Sequence, residues 1–326
     1  MPCVLMRVNW CETGRWRQGN KWIYSAAGTS EEESFLSGEN RIAPELSDTV
    51  HKLPLPLRNM SSTDSRDLGR ALCIITGASR GFGRTAAREM SRRMKPRSVL
   101  VLVARTGDDL RSLQAELAES EEGRAGLVAE CVAADLGQAE GVESVVRASK
   151  ERFCQDIDHI ILVNNAASLG DVSRYTKSFT NMAEVNSYLS LNVSSCLCLT
   201  ASILQAFPQR PGLRRTVINI SSLCALKPFR SWGLYCTGKA ARDMMFKVLA
   251  EEEPDLRVLN YSPGPLDTDM LTEARTRTVD PTLRKSFTDM FAQGQVLTCE
   301  QSCAKLMKLL LDDSYTSGDH VDIYDV

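Results

Sequence analysis

The chain reads as an α/β protein built on one doubly wound parallel sheet flanked by helices, and three observations carry that reading. Short apolar runs of strand length, at 71–75, 98–104, 127–133, 159–163, 217–220 and 257–261, alternate with stretches of helical length. A glycine-rich turn at 76–83 joins the first run to the first helix. The runs are also continuously apolar rather than alternating, as expected for strands covered by helices on both faces.

Composition bounds the rest. The chain has 326 residues, 43% hydrophobic and 25% charged, with a formal net charge of -2. That balance implies no general attraction to nucleic acid or other polyanions. The eleven cysteines are scattered, odd in number and without a C-x-x-C pair, which favours reduced thiols in a cytoplasmic protein over a disulfide framework. His51, His159 and His320 do not cluster with them, so no metal site is expected. No apolar run approaches the ~18 residues of a membrane span, so no membrane association is expected.

Residues 1–68 differ from the rest. They hold Trp10, Trp16 and Trp22, the acidic run Glu31-Glu32-Glu33 and the Pro-rich piece Leu53-Pro54-Leu55-Pro56-Leu57, with no sustained period. This segment reads as a loosely ordered extension. Met60, followed by the polar lead-in Ser61-Ser62-Thr63-Asp64-Ser65, is a candidate alternative start. A single domain then runs from 69 to 326.

Within that domain the first βα unit spells Thr76-Gly77-Ala78-Ser79-Arg80-Gly81-Phe82-Gly83. Strand, glycine loop and helix is the layout that sets a phosphate on a helix N-terminus. Gly77 permits the tight turn, and Gly81 and Gly83 permit close backbone approach. The second strand ends in Arg105 rather than in the acid that would take a ribose 2′-hydroxyl. With Arg80 it favours a 2′-phosphate, and so NADP(H) over NAD(H). A helix is expected at 108–122, and the third strand leads to Asp135. The next helix spans 139–153, and the fourth strand ends in Asn164-Asn165-Ala166-Ala167. The long apolar stretch 182–207 contains Asn192, a poor interior helix residue, which invites either a helix distortion around a functional polar group or plain solvent exposure. After the sixth strand, Ser262-Pro263-Gly264-Pro265-Leu266-Asp267-Thr268 fixes a rigid loop. Helical pieces follow over 271–311 with a break at 293–295, and 320–324 alternates as a last strand.

The chemistry concentrates in 221–241. Tyr235 and Lys239 are one helical turn apart on one face, and Ser222 follows the strand 217–220. Hydride reduction of a ketone leaves an alkoxide that must be protonated. A free tyrosine has a pKa of roughly 10, and a nearby lysine ammonium is expected to lower it. A serine hydroxyl at the strand end can hold the carbonyl oxygen.

These motifs together, 76–83, Asp135, Asn164-Asn165-Ala166, Asn192, Ser222, Tyr235, Lys239 and Pro263-Gly264 through Thr268, resemble the short-chain dehydrogenase/reductases, whose sheet is of the Rossmann type. The match covers essentially all of 70–326. One departure is Ala167, where the family usually has glycine. The resemblance implies a catalytic set of Ser222, Tyr235, Lys239 and Asn192, the last holding a water in the proton relay. It implies a cofactor cradle of Gly77, Ala78, Ser79, Arg80, Gly81, Phe82 and Gly83, with Arg105 and Thr106 near the adenosine phosphate. Ala134, Asp135 and Leu136 would flank the adenine, Asn164 and Lys239 would contact the cofactor, and Leu266, Asp267, Thr268, Asp269 and Met270 would cover the nicotinamide.

Segments 168–173, 219–229, 235–244, 262–270 and 317–325 resemble the branch that reduces side-chain carbonyls of pterins on the way to tetrahydrobiopterin. That likeness implies substrate contacts from Ser222, Tyr235, Gly264 and Asp322. A pterin carries an amino group beside a ring N–H, and a carboxylate accepts such a pair two-pronged. Phe229 and Trp232 are candidates for an apolar wall. The family also implies a homodimer through 182–207 and the Tyr235 helix. Two other readings stay open: a broad carbonyl reductase for diketones or steroids, and an NADPH-binding sensor with little turnover.

Overall fold

A computed structural model describes residues 67–326. The Met60 start and the extension before 67 lie outside the described residues. Leu68, placed in the extension by the sequence reading, is already buried, and its carbonyl accepts from the His159 ring at 2.8 Å.

Seven strands form one parallel sheet in the order β3-β2-β1-β4-β5-β6-β7. They are β1 (Ala71–Thr76), β2 (Val99–Ala104), β3 (Val128–Ala133), β4 (His159–Asn164), β5 (Arg214–Ile220), β6 (Arg257–Ser262) and β7 (His320–Asp322). The helices are α1 (Gly81–Ser91), α2 (Gly107–Glu119), α3 (Glu121–Arg124), α4 (Ala139–Arg152), α5 (Met182–Leu189), α6 (Ser195–Ala206), α7 (Gly233–Glu252), α8 (Asp269–Arg277), α9 (Pro281–Ala292) and α10 (Cys299–Asp312). The strand order reverses between β1 and β4, the switch point at which open α/β sheets bind ligands.

Strand alternation assigns two cores. Cys73, Ile75, Leu100, Ile161 and Ile218 pack with buried residues of α1, α2 and α10. Leu72, Ile74, Val101, Leu162, Val217 and Val258 pack with those of α4, α6 and α7 on the other face. Successive residues of one strand thus serve opposite layers.

Two elements, the stretch 182–207 and the last strand, differ from the sequence reading. The stretch 182–207 is not one helix: α5 and α6 flank a π turn, Ser190–Ser194, with Asn192 buried inside it. Helix distortion, rather than exposure, is the answer for Asn192. The last strand stops at Asp322 instead of 324. Asp322 accepts from the Tyr324 N–H at 3.1 Å and its own N–H donates to Asp325, turning the chain into a single 3-10 turn. Finally, Met182–Ala206 reaches a mean hydropathy of 1.4 and is long and apolar enough to cross a membrane by length and composition, contrary to the expectation that no such run exists. Cys196, Leu199 and Ile203 of this segment are buried against the sheet, whereas Met182 and Leu197 face outward.

Candidate active site

The site is assembled at the carboxyl ends of β1, β4, β5 and β6. Its cofactor side is the loop from Thr76 to α1. Gly77 and Gly81 both have positive φ, +68° and +54°, a region that side-chain-bearing residues enter at a cost. A Cβ on Gly83 would stand 2.2 Å from the Gly77 carbonyl oxygen, so the loop closes on itself only with glycine there. Asn165 fastens it, donating to the carbonyls of Thr76 at 2.8 Å and Gly77 at 3.2 Å. Ala78 is buried and donates its N–H to the Val103 carbonyl, and Phe82 stacks on Tyr261. Ser79 is half-buried at the lip. Ala167, the departure from the family glycine, does not adopt a positive φ, so its methyl costs no backbone strain.

This loop fits a dinucleotide phosphate. α1 begins with no side-chain cap and no acidic residue in its first turn, so its first N–H groups and positive dipole end are free to meet an anion. Arg105 and Thr106 are exposed at the end of β2. The Thr106 hydroxyl meets Asp109 at 3.2 Å. Ala134 and Leu136 are buried on either side of exposed Asp135, whose carboxylate caps the Gly137 N–H at 2.9 Å. Arg80 does not join Arg105. It reaches across the cleft to Asp269 at 2.5 Å, both side chains mostly exposed, because the first turns of α1 and α8 face one another. Asn164 also departs from expectation: its side chain is buried and donates to the Thr200 hydroxyl, away from the cleft. Strand alternation is the reason, since Asn164 continues the face of Ile160 and Leu162.

On the reactive side Ser222 follows β5, and α7 presents Tyr235 and Lys239. Both are buried, at 7% and 5% exposure. The Ser222 hydroxyl accepts from the Cys224 N–H at 3.2 Å. Lys239 donates to the Ile220 carbonyl at 2.6 Å, and its ammonium lies 5.5 Å from the Tyr235 ring centre. Asn192 accepts from the Ser168 N–H at 2.8 Å and donates to the Tyr188 carbonyl, beside a cavity of about 250 Å³. That volume holds several waters at roughly 30 Å³ each.

The electrostatics correct the sequence argument. Burial dominates and raises the Tyr235 phenol above its ordinary range, with only Ser222 and Arg242 pulling it down. Burial, then the Arg242 charge, lowers Lys239 to about 7. A lysine so desolvated does little to acidify its neighbour, so the chain alone keeps Tyr235 protonated at neutral pH. That is the form that donates a proton in reduction. Lys239 is cationic only below its lowered value, so kcat/KM for carbonyl reduction is expected to fall as pH rises through about 7. kcat/KM reports the free protein, and Lys239→Arg should remove this limb because a guanidinium stays charged. A profile flat from pH 6 to 9 would exclude Lys239 as the titrating group.

The far wall comes from the β6–α8 loop. Leu266 is buried and bridges to Leu297, and Asp267 donates its N–H to the Leu297 carbonyl. Thr268 starts α8 and stands over Gly81, and the Met270 sulfur lies 3.9 Å from the Tyr235 hydroxyl. Gly264, φ +76°, has space for no side chain: a Cβ would meet Ile323 at 2.9 Å. Asp322 accepts from the Ser262 hydroxyl at 2.6 Å and is half-buried. Trp232 does not offer a free face to a substrate. Phe229 and Phe287 stack on it at 5.8 and 5.1 Å, Tyr235 meets its edge, and its indole N–H donates to Thr278. It is the post on which α9 rests.

Sequence reasoning missed a buried polar group beneath the site. Arg242, 1% exposed, donates to the side-chain oxygen of Asn219 and to the carbonyls of Asn164 and Ala166. Asp243, 3% exposed, accepts from Asn219, Ser221 and His320. The available signal was an asparagine two residues before a serine at the ends of both β5 and β6: Asn219 and Ser221, Asn260 and Ser262.

Comparison with known proteins agrees with this geometry. The family model described as short chain dehydrogenase matches residues 71–278. Sepiapterin reductase from Bos taurus is 53% identical over 263 residues, 79% of this chain and 96% of that protein. Sepiapterin reductase from Xenopus tropicalis is 52% identical over 79% of this chain and 98% of its own. The crystal structure of L-sorbose reductase from Gluconobacter frateurii, complexed with NADPH and L-sorbose, is 25% identical with a TM-score of 0.64, covering 79% of this chain and 96% of that one. The chain belongs to the short-chain dehydrogenase family.

Proposed function

We propose that this chain is an NADPH-dependent reductase of the side-chain carbonyls of 6-acyl pterins, sepiapterin and 6-pyruvoyl-tetrahydropterin among them. The observation that carries the reading is the joint placement of Ser222, Tyr235 and Lys239 with Asp322 at one end of the sheet, in a chain about half identical to sepiapterin reductases over nearly their full length. Bound NADPH supplies the hydride. The chain's residues do the rest. Ser222 and Tyr235 hold the carbonyl oxygen, so charge developing there meets donors already oriented. Tyr235 gives up its proton to that oxygen, and Lys239, tied to the Ile220 carbonyl, holds a cation beside the phenolate left behind. Asn192 bridges the Ser168 loop to the π turn and borders the cavity through which the proton is replaced. Asp322 keeps lone pairs for the amino and ring N–H groups of a pterin beside its bond from Ser262.

Arg105 serves the 2′-phosphate. Arg105→Ala should raise KM for NADPH by about tenfold, the worth of one charge-assisted hydrogen bond, and leave NADH kinetics unmoved. Equal effects on the two cofactors would remove Arg105 from that role. The functional test is NADPH oxidation with sepiapterin set against a simple diketone, with NADH as control. Fast, NADPH-selective turnover of sepiapterin supports the reading; turnover of the diketone alone keeps the catalytic set and discards the pterin.

The protein acts as a cytoplasmic homodimer in this reading. Outward-facing Met182 and Leu197 of α5 and α6, with Met244 and Val248 of α7, give the apolar surface that a pairing of these helices would cover.

A further inference from the structure

The polar group under the site has an order that bears on substrate recognition. Asn164 pairs in register with Asn219, Asn219 with Asn260, and Asn260 with His320. Four polar residues therefore lie in one line across β4, β5, β6 and β7. On the same face one step earlier lie Leu162, Val217 and Val258 of the α4/α6/α7 core. The line is the roof of that core, and each of its members is hydrogen-bonded. Asn219 donates to Asn260 at 2.8 Å and to Asp243 at 3.1 Å, and Asn260 donates to the Gly318 carbonyl at 3.0 Å. His320 closes it, with Nδ1 2.5 Å from the Asp243 carboxylate and 3.5 Å from the Ser221 hydroxyl.

β7 is an edge strand of three residues, the weakest member of the sheet. Asp322 stands two residues beyond His320, and side chains two apart share a face. A slip of one residue would turn Asp322 to the opposite face. The register of β7 is set by main-chain pairing to β6, by the Asn260 bond to the Gly318 carbonyl and by the Ser262 bond to Asp322, and His320 adds a buried side-chain tie from the strand to α7. The two side chains of the pair are 6% and 4% exposed, and His320 Nε2 is buried with no hydrogen-bond partner among the described residues. The orientation of the ring thus rests on its Nδ1 side. Asp243 lies on α7, the helix that carries Tyr235 and Lys239, and the hydroxyl it holds belongs to Ser221, the neighbour of Ser222.

We infer that His320 is a positioning residue for substrate specificity: through Asp243 it locks β7 to the catalytic helix and to the end of β5, and so sets where Asp322 stands relative to Ser222 and Tyr235. This deepens the pterin reading and rests on Asp322 as the pterin acceptor.

The test is a kinetic split with a double-mutant cycle. His320→Ala is expected to raise KM for sepiapterin by about tenfold, comparable to one lost charge-assisted hydrogen bond, while kcat changes by less than about threefold. kcat/KM for a small diketone, which has no amino group for Asp322, should move far less. His320→Asn, which keeps a donor near the Nδ1 position, should recover most of the loss. Combined with Asp322→Asn, His320→Ala should add little, because the two act as one unit. Thermal melts of each variant identify any that is merely unfolded, and His320→Asn then carries the kinetic comparison. Equal losses for sepiapterin and the diketone, or full additivity with Asp322→Asn, would show a general structural role and overturn the proposal. A large effect of Asp322→Asn with an inert His320→Ala would overturn it while leaving the pterin reading intact. An inert Asp322→Asn would remove the reading itself, and this inference with it.

Discussion

Tyr235→Phe is expected to lower kcat for carbonyl reduction by about three orders of magnitude, the usual worth of a positioned general acid. The substitution removes one oxygen from a ring that is buried against Trp232 and Met270 and changes no volume that the core must refill. Folding and NADPH binding should therefore persist, since the glycine loop and the open end of α1 do not touch the phenol. The informative combination is an unchanged fluorescence titration with NADPH and a collapsed turnover rate. A variant that turns over like the parent would refute Tyr235 as the proton donor. The raised phenol makes a further point. Tyr235 stays protonated through the neutral range, so no alkaline loss of activity near pH 7 belongs to it, and the limb assigned to Lys239 is separable from it.

Arg242→Ala should be the most damaging single change to stability in the catalytic helix, costing about 3–5 kcal/mol, as removal of one partner from a buried charged network does. The guanidinium is 1% exposed and serves the Asn219 side chain and the carbonyls of Asn164 and Ala166. Alanine would take this donor from the buried Asn219 and Asn164 oxygens and from the part-buried Ala166 carbonyl, each with its own desolvation penalty. Arg242→Lys should recover only part of the loss, because a point ammonium cannot reproduce the planar fork that spans three acceptors. Chemical denaturation checks both, with the exposed Arg277→Ala as the comparison expected to stay within about 0.5 kcal/mol of the parent. If Arg242→Ala unfolded at the parent midpoint, the network would be ornamental.

The six apolar runs seen in the sequence became six strands, because a strand covered on both faces is predominantly apolar and the pattern survives without alignment. The seventh was legible in position but not in length, since Asp322 spends a carboxylate oxygen on turning the chain. Asn192, a poor helix former inside an apolar stretch, left distortion and exposure both open, and the π turn with Asn192 buried in it decides for distortion. Trp232 is the clearest failure. Its side chain suits a ring-stacking wall, but both faces are taken by Phe229 and by Phe287, which is fifty-five residues farther along the chain. Arg80 was read as a second cation beside Arg105, and its partner here is Asp269, on a helix that the local sequence does not place opposite.

What the sequence determined by itself was everything that depends on neighbours along the chain. That includes the βα alternation, the glycine loop opening a helix, the Tyr235 and Lys239 pair one turn apart, and Ser222 at a strand end. Helical and strand periodicity make these relations local, so composition and spacing suffice. The tertiary structure alone decided which buried groups meet across the sheet. The line from Asn164 through Asn219 and Asn260 to His320 joins strands far apart in sequence, and strand register, which no local pattern encodes, brings them level. Burial decided the protonation of the pair as well. The lysine that spacing cast as the activator of Tyr235 is itself stripped of water, and desolvation outweighs proximity inside a closed core.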